Sequence, residues 1–240
     1  MKLLRPLLLI LGLFLAMPAL AQETPSLSKA EEVEMAKLLE AGVRKFQSGD
    51  SSQAIANFDQ VAATYEERFR GRKTKFLCSR WPVESTHYAV VAMGAGEDVN
   101  VLSASWAYAY YNKASVLIGQ GGNAVAQAKA LVEKAAALAP SNAEFLGGLG
   151  FIYQQEKNWL LSLAWYQKAE AAAREYSPRN VAAEELLVAL HGKAYALIEL
   201  KRFDEAEKAL RECLAMDKSD AVAQKELRYI ESVKAKHGGR

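Results

Sequence analysis

The chain has 240 residues, 51% hydrophobic and 24% charged, which is an ordinary globular composition with enough apolar material for a sizeable core. The first 21 residues hold two of the 30 basic side chains and no acid, so the formal charge of +2 falls to neutrality beyond them, 28 basic groups against 28 acidic. That balance argues against a dedicated nucleic-acid binder, which needs a basic face to displace phosphate counterions, and two cysteines are too few for a disulfide-built scaffold or a four-thiolate zinc site.

Met1 to Arg5 is a short cationic start, Leu7 to Ala16 is an uncharged apolar run, and Ala19-Leu20-Ala21 closes the segment after Pro18. Those three parts make a cleavable export signal over 1–21. The alternative is an uncleaved anchor, but the run is shorter than the roughly 20 apolar residues that span a bilayer. Cleavage after Ala21 would leave a periplasmic protein that begins at Gln22 and has no stable membrane insertion. A lead-in, 22–34, contains Ser28 and Glu31, spaced as a helix capping box.

Four helix pairs follow. The first, 35–69, has stripes Leu38, Gly42, Lys45 and Ala54, Phe58, Val61. An irregular insertion, 70–106, comes next: Pro82 opens a short helix through Met93, Gly94-Ala95-Gly96 ends it, and Val99 to Leu102 is either extended or the start of the next helix. The second pair, 107–142, has Tyr110, Ala114, Leu117 and Ala128, Val132, Ala135, and the third, 143–176, has Leu146, Gly150, Tyr153 and Ser162, Tyr166, Ala169. The fourth, 177–220, has Leu190, Ala194, Leu197 and Ala206, Leu210, Cys213, with its first helix extended back to Ser177-Pro178. A capping helix and tail fill 221–240. Every stripe has the spacing i, i+4, i+7, one face of a helix, and the second stripe of each pair has a small residue first and last, where two helices approach closely. Ser141 with Glu144 forms a second capping box, and Asp50, Asn158 and Asp220 sit where helices should begin.

This pattern resembles the tetratricopeptide repeat, a helix-turn-helix unit of about 34 residues with Leu-Gly, Tyr, Ala, Phe, Ala and Pro at fixed places. The matching residues are Leu149-Gly150 and Tyr153, Ala54 and Phe58, Ala135 and Pro140, and Ala206. Lys45, Ser162, Cys213, Arg174 and Lys218 depart from it. The resemblance implies an all-α, right-handed superhelical stack of helix-turn-helix repeats, interrupted by the insertion between the first and second, with a concave side lined by the first helix of each unit. In this register the groove positions are Leu39, Val43 and Phe46, then Tyr108, Tyr111, Ser115 and Ile118, then Gly147, Phe151 and Gln154, and finally His191, Tyr195 and Ile198. Repeats of this family that clamp a chaperone's carboxylate tail carry Lys and Asn where Leu39 and Val43 stand, so that ligand is not expected.

No catalytic constellation, cofactor site or metal site is expected. His87, His191 and His237 share no helix face and have no local pair of carboxylates or thiols at ligand spacing. Cys78 and His87 lack a third orienting group, and Gly119 to Gly122 lacks the Lys-Ser/Thr of a phosphate loop. Cys78 and Cys213 are expected to be unpaired, because a rod-like stack separates them unless the insertion folds back. Arg68, Arg70, Arg72, Lys73, Lys75 and Arg80 form either a solvated connector or a docking patch for an acidic protein, anionic lipid or cell-wall polymer. The resemblance implies a non-enzymatic binding module for a peptide or protein partner; with the export signal it reads as a scaffold or accessory subunit in the bacterial cell envelope, and with the charge balance as one that takes no nucleic acid. The alternative is an exported carrier of a small ligand or lipid, or an inhibitor of one enzyme.

Overall fold

The computed structural model describes residues 26–122 and 124–238, and the expected export signal lies outside them. The elements run α1 (Lys29–Gln47), α2 (Ser51–Arg68), β1 (Lys75–Ser79), α3 (Pro82–Ala95), β2 (Val99–Ser103), α4 (Ser105–Gln120), α5 (Ala124–Leu138), α6 (Ala143–Gln155), α7 (Trp159–Glu175), α8 (Ala182–Glu199), α9 (Phe203–Met216) and α10 (Ala221–Gly238). The pairs α1–α2, α4–α5, α6–α7 and α8–α9 stack in sequence, with α2 on α4, α5 on α6, α7 on α8 and α9 on α10. The protein is an all-α stack of helix pairs.

The second-helix stripes form the seam. Ala54, Phe58 and Val61, Ala128, Val132 and Ala135, Ser162, Tyr166 and Ala169, and Ala206, Leu210 and Cys213 are all buried. Phe58 and Tyr166 seat against glycines of first helices. A β-carbon on Gly42 would lie 2.5 Å from the Phe58 ring, one on Gly150 would lie 2.9 Å from the Tyr166 ring, and one on Gly192 only 2.1 Å from that same ring. Tyr166 is thus gripped by its own unit and by the next. Lys45, one of the departures from the pattern, is exposed.

Capping follows the sequence at Ser28, whose hydroxyl accepts from the Glu31 N–H while Glu31 accepts from the Ser28 N–H. The side chains of Asp50, Asn158 and Asp220 likewise accept from the first turns of α2, α7 and α10. At α6 the cap is Asn142 and not Ser141, whose N–H instead donates to the Tyr88 hydroxyl at 3.1 Å. Helix α8 starts at Ala182, later than Ser177-Pro178, because the chain first turns: the Val181 and Ala182 N–H groups both donate to the Pro178 carbonyl.

The insertion is more regular than its composition suggests. Residues 75–79, expected as part of a charged connector, form β1, which pairs in parallel with β2 so that Leu77 faces Val101 and Cys78 faces Leu102. Val99–Ser103 is therefore extended. Helix α3 is the crossover, ended by Gly96 at φ 67°, a left-handed conformation that suits glycine. The insertion folds back on the stack. The Trp81 indole N–H donates to the Tyr176 carbonyl at 2.5 Å, and the His87 ring lies 4.2 Å from that of Tyr176.

Candidate functional site: a cleft along the first helices

Helices α4, α6 and α8 give one face to their partner helices and leave another open, and a cleft of about 610 Å³ runs across it. Tyr111, Ser115 and Ile118 line it from α4, Glu144, Gly147 and Phe151 from α6, Val188 and the pair Glu184 and Glu185 from α8, and Tyr166 forms its floor. Gly147 leaves room, since a β-carbon there would meet nothing. A smaller cleft of about 290 Å³ adjoins it through the shared Tyr166 and Val188 and is lined by Gln154, His191, Tyr195 and Glu226. A third, among α8, α9 and α10, takes in Ile198, Phe203 and Tyr229.

These clefts bring together most of the positions expected in the groove from units two to four, in two roles. Phe151 and Tyr195 are open, 38% and 39% exposed. Tyr111 is largely covered, its ring 4.8 Å from that of Phe145 and pressed on Gly148. Tyr108 supports the cleft from behind, with its ring edge-on to Phe145 and its hydroxyl donating to Glu144 at 2.9 Å. Ile198 is buried. Unit one does not extend this surface. Leu39 and Val43 pack with Phe58 and Val116 because α1 turns that face toward α2 and α4, and Phe46 is exposed away from the clefts.

One end of the main cleft is acidic, since Glu144, Glu184 and Glu185 occupy the first turns of α6 and α8, where helix dipoles favour carboxylates. Glu185 is paired. Arg80 reaches it and also holds Glu84, through its Nε at 2.9 Å and its NH2 nitrogen at 2.8 Å; Glu84 is fully buried. Ser177 donates to Glu185 as well. Burial works against the Arg80 charge, but the hydrogen bonds to Glu84 and Glu185 keep its pKa above the ordinary value. Glu144 and Glu184 have no ion-pair partner among the described residues. Burial lifts the Glu144 carboxyl above the usual carboxylate range, the Tyr108 hydroxyl opposes that, and the like charge of Glu185 adds to it. Burial also raises the phenols of Tyr108 and Tyr111.

Arg80 therefore leaves the basic patch expected over 68–80, because its side chain turns into the insertion–stack junction. Arg68 is bound to the Ser26 carbonyl and to Glu31, and Lys75 to Glu97 at 2.7 Å. Arg70, Arg72 and Lys73 remain exposed.

Local spacing also missed a cluster. His191 Nε2 lies 2.6 Å from the Asp220 carboxylate, and donor atoms of His191, Cys213 and Asp220 are all within 4.8 Å of one another. No histidine has a local carboxylate or thiol pair in the sequence, and these three meet because stacking of the last unit on α10 unites residues far apart along the chain. Cys78 and Cys213 are both free and buried, and burial pushes each thiol up to about 12.

Residues 141–219, about a third of the chain, match the family model described as tetratricopeptide repeat. No curated protein matches the chain. Among solved structures it is similar to MamA (MSR-1), at 16% identity and TM-score 0.51 over 86% of this chain and 90% of that one. MamA (AMB-1) is similar at 16% identity and TM-score 0.51, over 87% and 86%. A putative kinesin light chain of Podosopora anserina with nearly identical TPR-like repeats is similar at 15% identity and TM-score 0.51, over 86% and 97%. At these identities the likeness concerns the fold. Residues 141–219 thus carry the tetratricopeptide repeat pattern, and the stack that contains them has the fold of such repeats.

Proposed function

We propose that the protein is a non-enzymatic interaction module that binds an extended peptide segment in the α4–α6–α8 cleft, and that the segment presents a Lys, Arg or free amino group beside large apolar side chains. The observation that carries this reading is an apolar cleft with carboxylates at one end, two of them without a cation. Phe151 and Val188 offer exposed apolar surface, and an incoming ammonium or guanidinium would compensate Glu144 and Glu184 in a partly dry site, where charge pairs are worth more than in open water. Panning displayed ten-residue peptides against the protein should enrich Lys or Arg next to Leu, Phe or Tyr. Glu144→Gln with Glu184→Gln should weaken such a peptide about tenfold, or ~1.4 kcal/mol, with a loss that shrinks as salt rises. Enrichment of acidic peptides would contradict the reading.

A second reading is favoured by the cleft volume of about 610 Å³, which lies within the roughly 300–1,000 Å³ of small-molecule sites: a carrier of a small apolar ligand. Native mass spectrometry of the purified protein would then show bound ligand.

The tripartite segment at residues 1–21 supports export, with action in the bacterial envelope. No helix among the described residues is long and apolar enough to cross a membrane. Amino-terminal sequencing of periplasmic protein should begin at Gln22. Intact Met1 in a membrane fraction would contradict export of a cleaved form.

A further inference from the structure

We propose that His191, Cys213 and Asp220 form a zinc site that ties the last repeat to the terminal helix. The three donors come from three elements: α8, the last turn of α9, and the residue that caps α10. An imidazole nitrogen, a thiol and a carboxylate oxygen lie within 4.8 Å of one another. Zinc bonds of about 2.0–2.3 Å would set tetrahedral donor pairs roughly 3.3–3.7 Å apart, so the site closes by small side-chain movements. His191 Nε2 and Asp220 Oδ2, now 2.6 Å apart, part slightly, and the sulfur moves in. Asp220 Oδ1 continues to accept from the Ala223 N–H at 2.9 Å, which leaves Oδ2 for the metal and fixes the carboxylate.

A mixed nitrogen, sulfur and oxygen set suits Zn²⁺ better than the hard cations Mg²⁺ and Ca²⁺, which prefer all-oxygen shells. On binding, the thiol gives its proton to solvent, the imidazole proton that faces Asp220 from Nε2 moves by exchange with solvent to Nδ1, and the freed Nε2, the thiolate and the carboxylate coordinate. His191 also lines the small cleft with Tyr195 and Glu226, so the fourth position opens to water there. Cys213 occupies a helix-contact position where the repeat pattern places alanine. This makes Cys213→Ala a substitution that keeps the packing while removing the sulfur.

The test uses the full chain, purified with any tag removed, kept reduced and stripped by chelator. Isothermal titration with Zn²⁺ and elemental analysis should give one zinc per chain, with a rise in Tm. Co²⁺ in place of zinc should show a thiolate-to-cobalt charge-transfer band. His191→Ala and Cys213→Ala should each lower zinc affinity at least tenfold, and Cys213→Ala should abolish the cobalt band while the zinc-free protein keeps a cooperative melt. Absence of stoichiometric zinc, binding indifferent to Cys213→Ala, or a cobalt spectrum without the sulfur band would each overturn the proposal.

Discussion

Arg80→Met should lower stability by about 3–5 kcal/mol, the cost of breaking a buried ion pair from one side. The guanidinium is the common partner of Glu84, which is fully buried, and Glu185, which is nearly so. Its removal strands one fully buried carboxylate and a second at the edge of the cleft. Arg80→Met combined with Glu84→Leu should recover part of the loss, since apolar replacement of a whole buried pair is often tolerated. Denaturant melts of the wild type and the two variants measure this. A loss below about 1 kcal/mol for Arg80→Met would mean that the junction is solvated and that the insertion is not locked to the stack. The junction also bears on binding. With Arg80 gone, Glu185 would join Glu144 and Glu184 as uncompensated charge, so the folded fraction of the variant should hold a cationic peptide more tightly.

Tyr166→Ala should cost about 3–5 kcal/mol, in the range of large aromatic deletions from a packed core. The ring is 4% exposed and seats on Gly150 of its own unit and Gly192 of the next, so its loss empties the seam between them. Gly192→Ala approaches the same contact from the other side. Its β-carbon would stand 2.1 Å from the ring, and overpacking of that kind costs about 1–3 kcal/mol, more than the ~1 kcal/mol that Ala gains over Gly within a helix. In a Tyr166→Leu background the same change should be nearly neutral. The two substitutions should therefore couple by about 1 kcal/mol or more, whereas Gly192→Ala and Phe58→Leu, in separate units, should add independently. Equal cost of Gly192→Ala in both backgrounds would mean that α8 does not seat on Tyr166.

The helix pairs were legible because i, i+4, i+7 is a local signal: Ala54-Phe58-Val61 and its three counterparts declare a buried face without reference to the rest of the chain. The cleft was half legible for the same reason. Phe151 and Tyr195 lie opposite the stripes of their own helices and so point outward. Leu39 and Val43 also lie off the stripe of α1, yet they are covered by Phe58 and Val116, and which helix covers them is not a property of α1. Strand β1 was hidden by charge, because Lys75 and Arg80 bracket Phe76 to Ser79 and its partner β2 lies across a whole helix. Arg80 and Glu84 stand one helical turn apart and could be paired by eye, but Glu185 is 105 residues further on. His191, Cys213 and Asp220 meet only because α10 packs on the fourth pair as another first helix would.

The most direct measurement of the cleft's role is fluorescence anisotropy with one labelled Lys- or Arg-containing apolar peptide. It would be titrated against the wild type, a cleft variant carrying Phe151→Ser with Glu184→Lys, and a surface variant carrying Arg70→Glu with Lys73→Glu. All four positions concerned are exposed or line the open cleft, so each protein should melt like the wild type. Loss of binding in the cleft variant alone, by about 2 kcal/mol or more as for an interface hot spot, is the expected result. Unchanged affinity there, with binding abolished in the Arg70 and Lys73 variant, would place the working surface on the basic loop and contradict a cleft-bound partner.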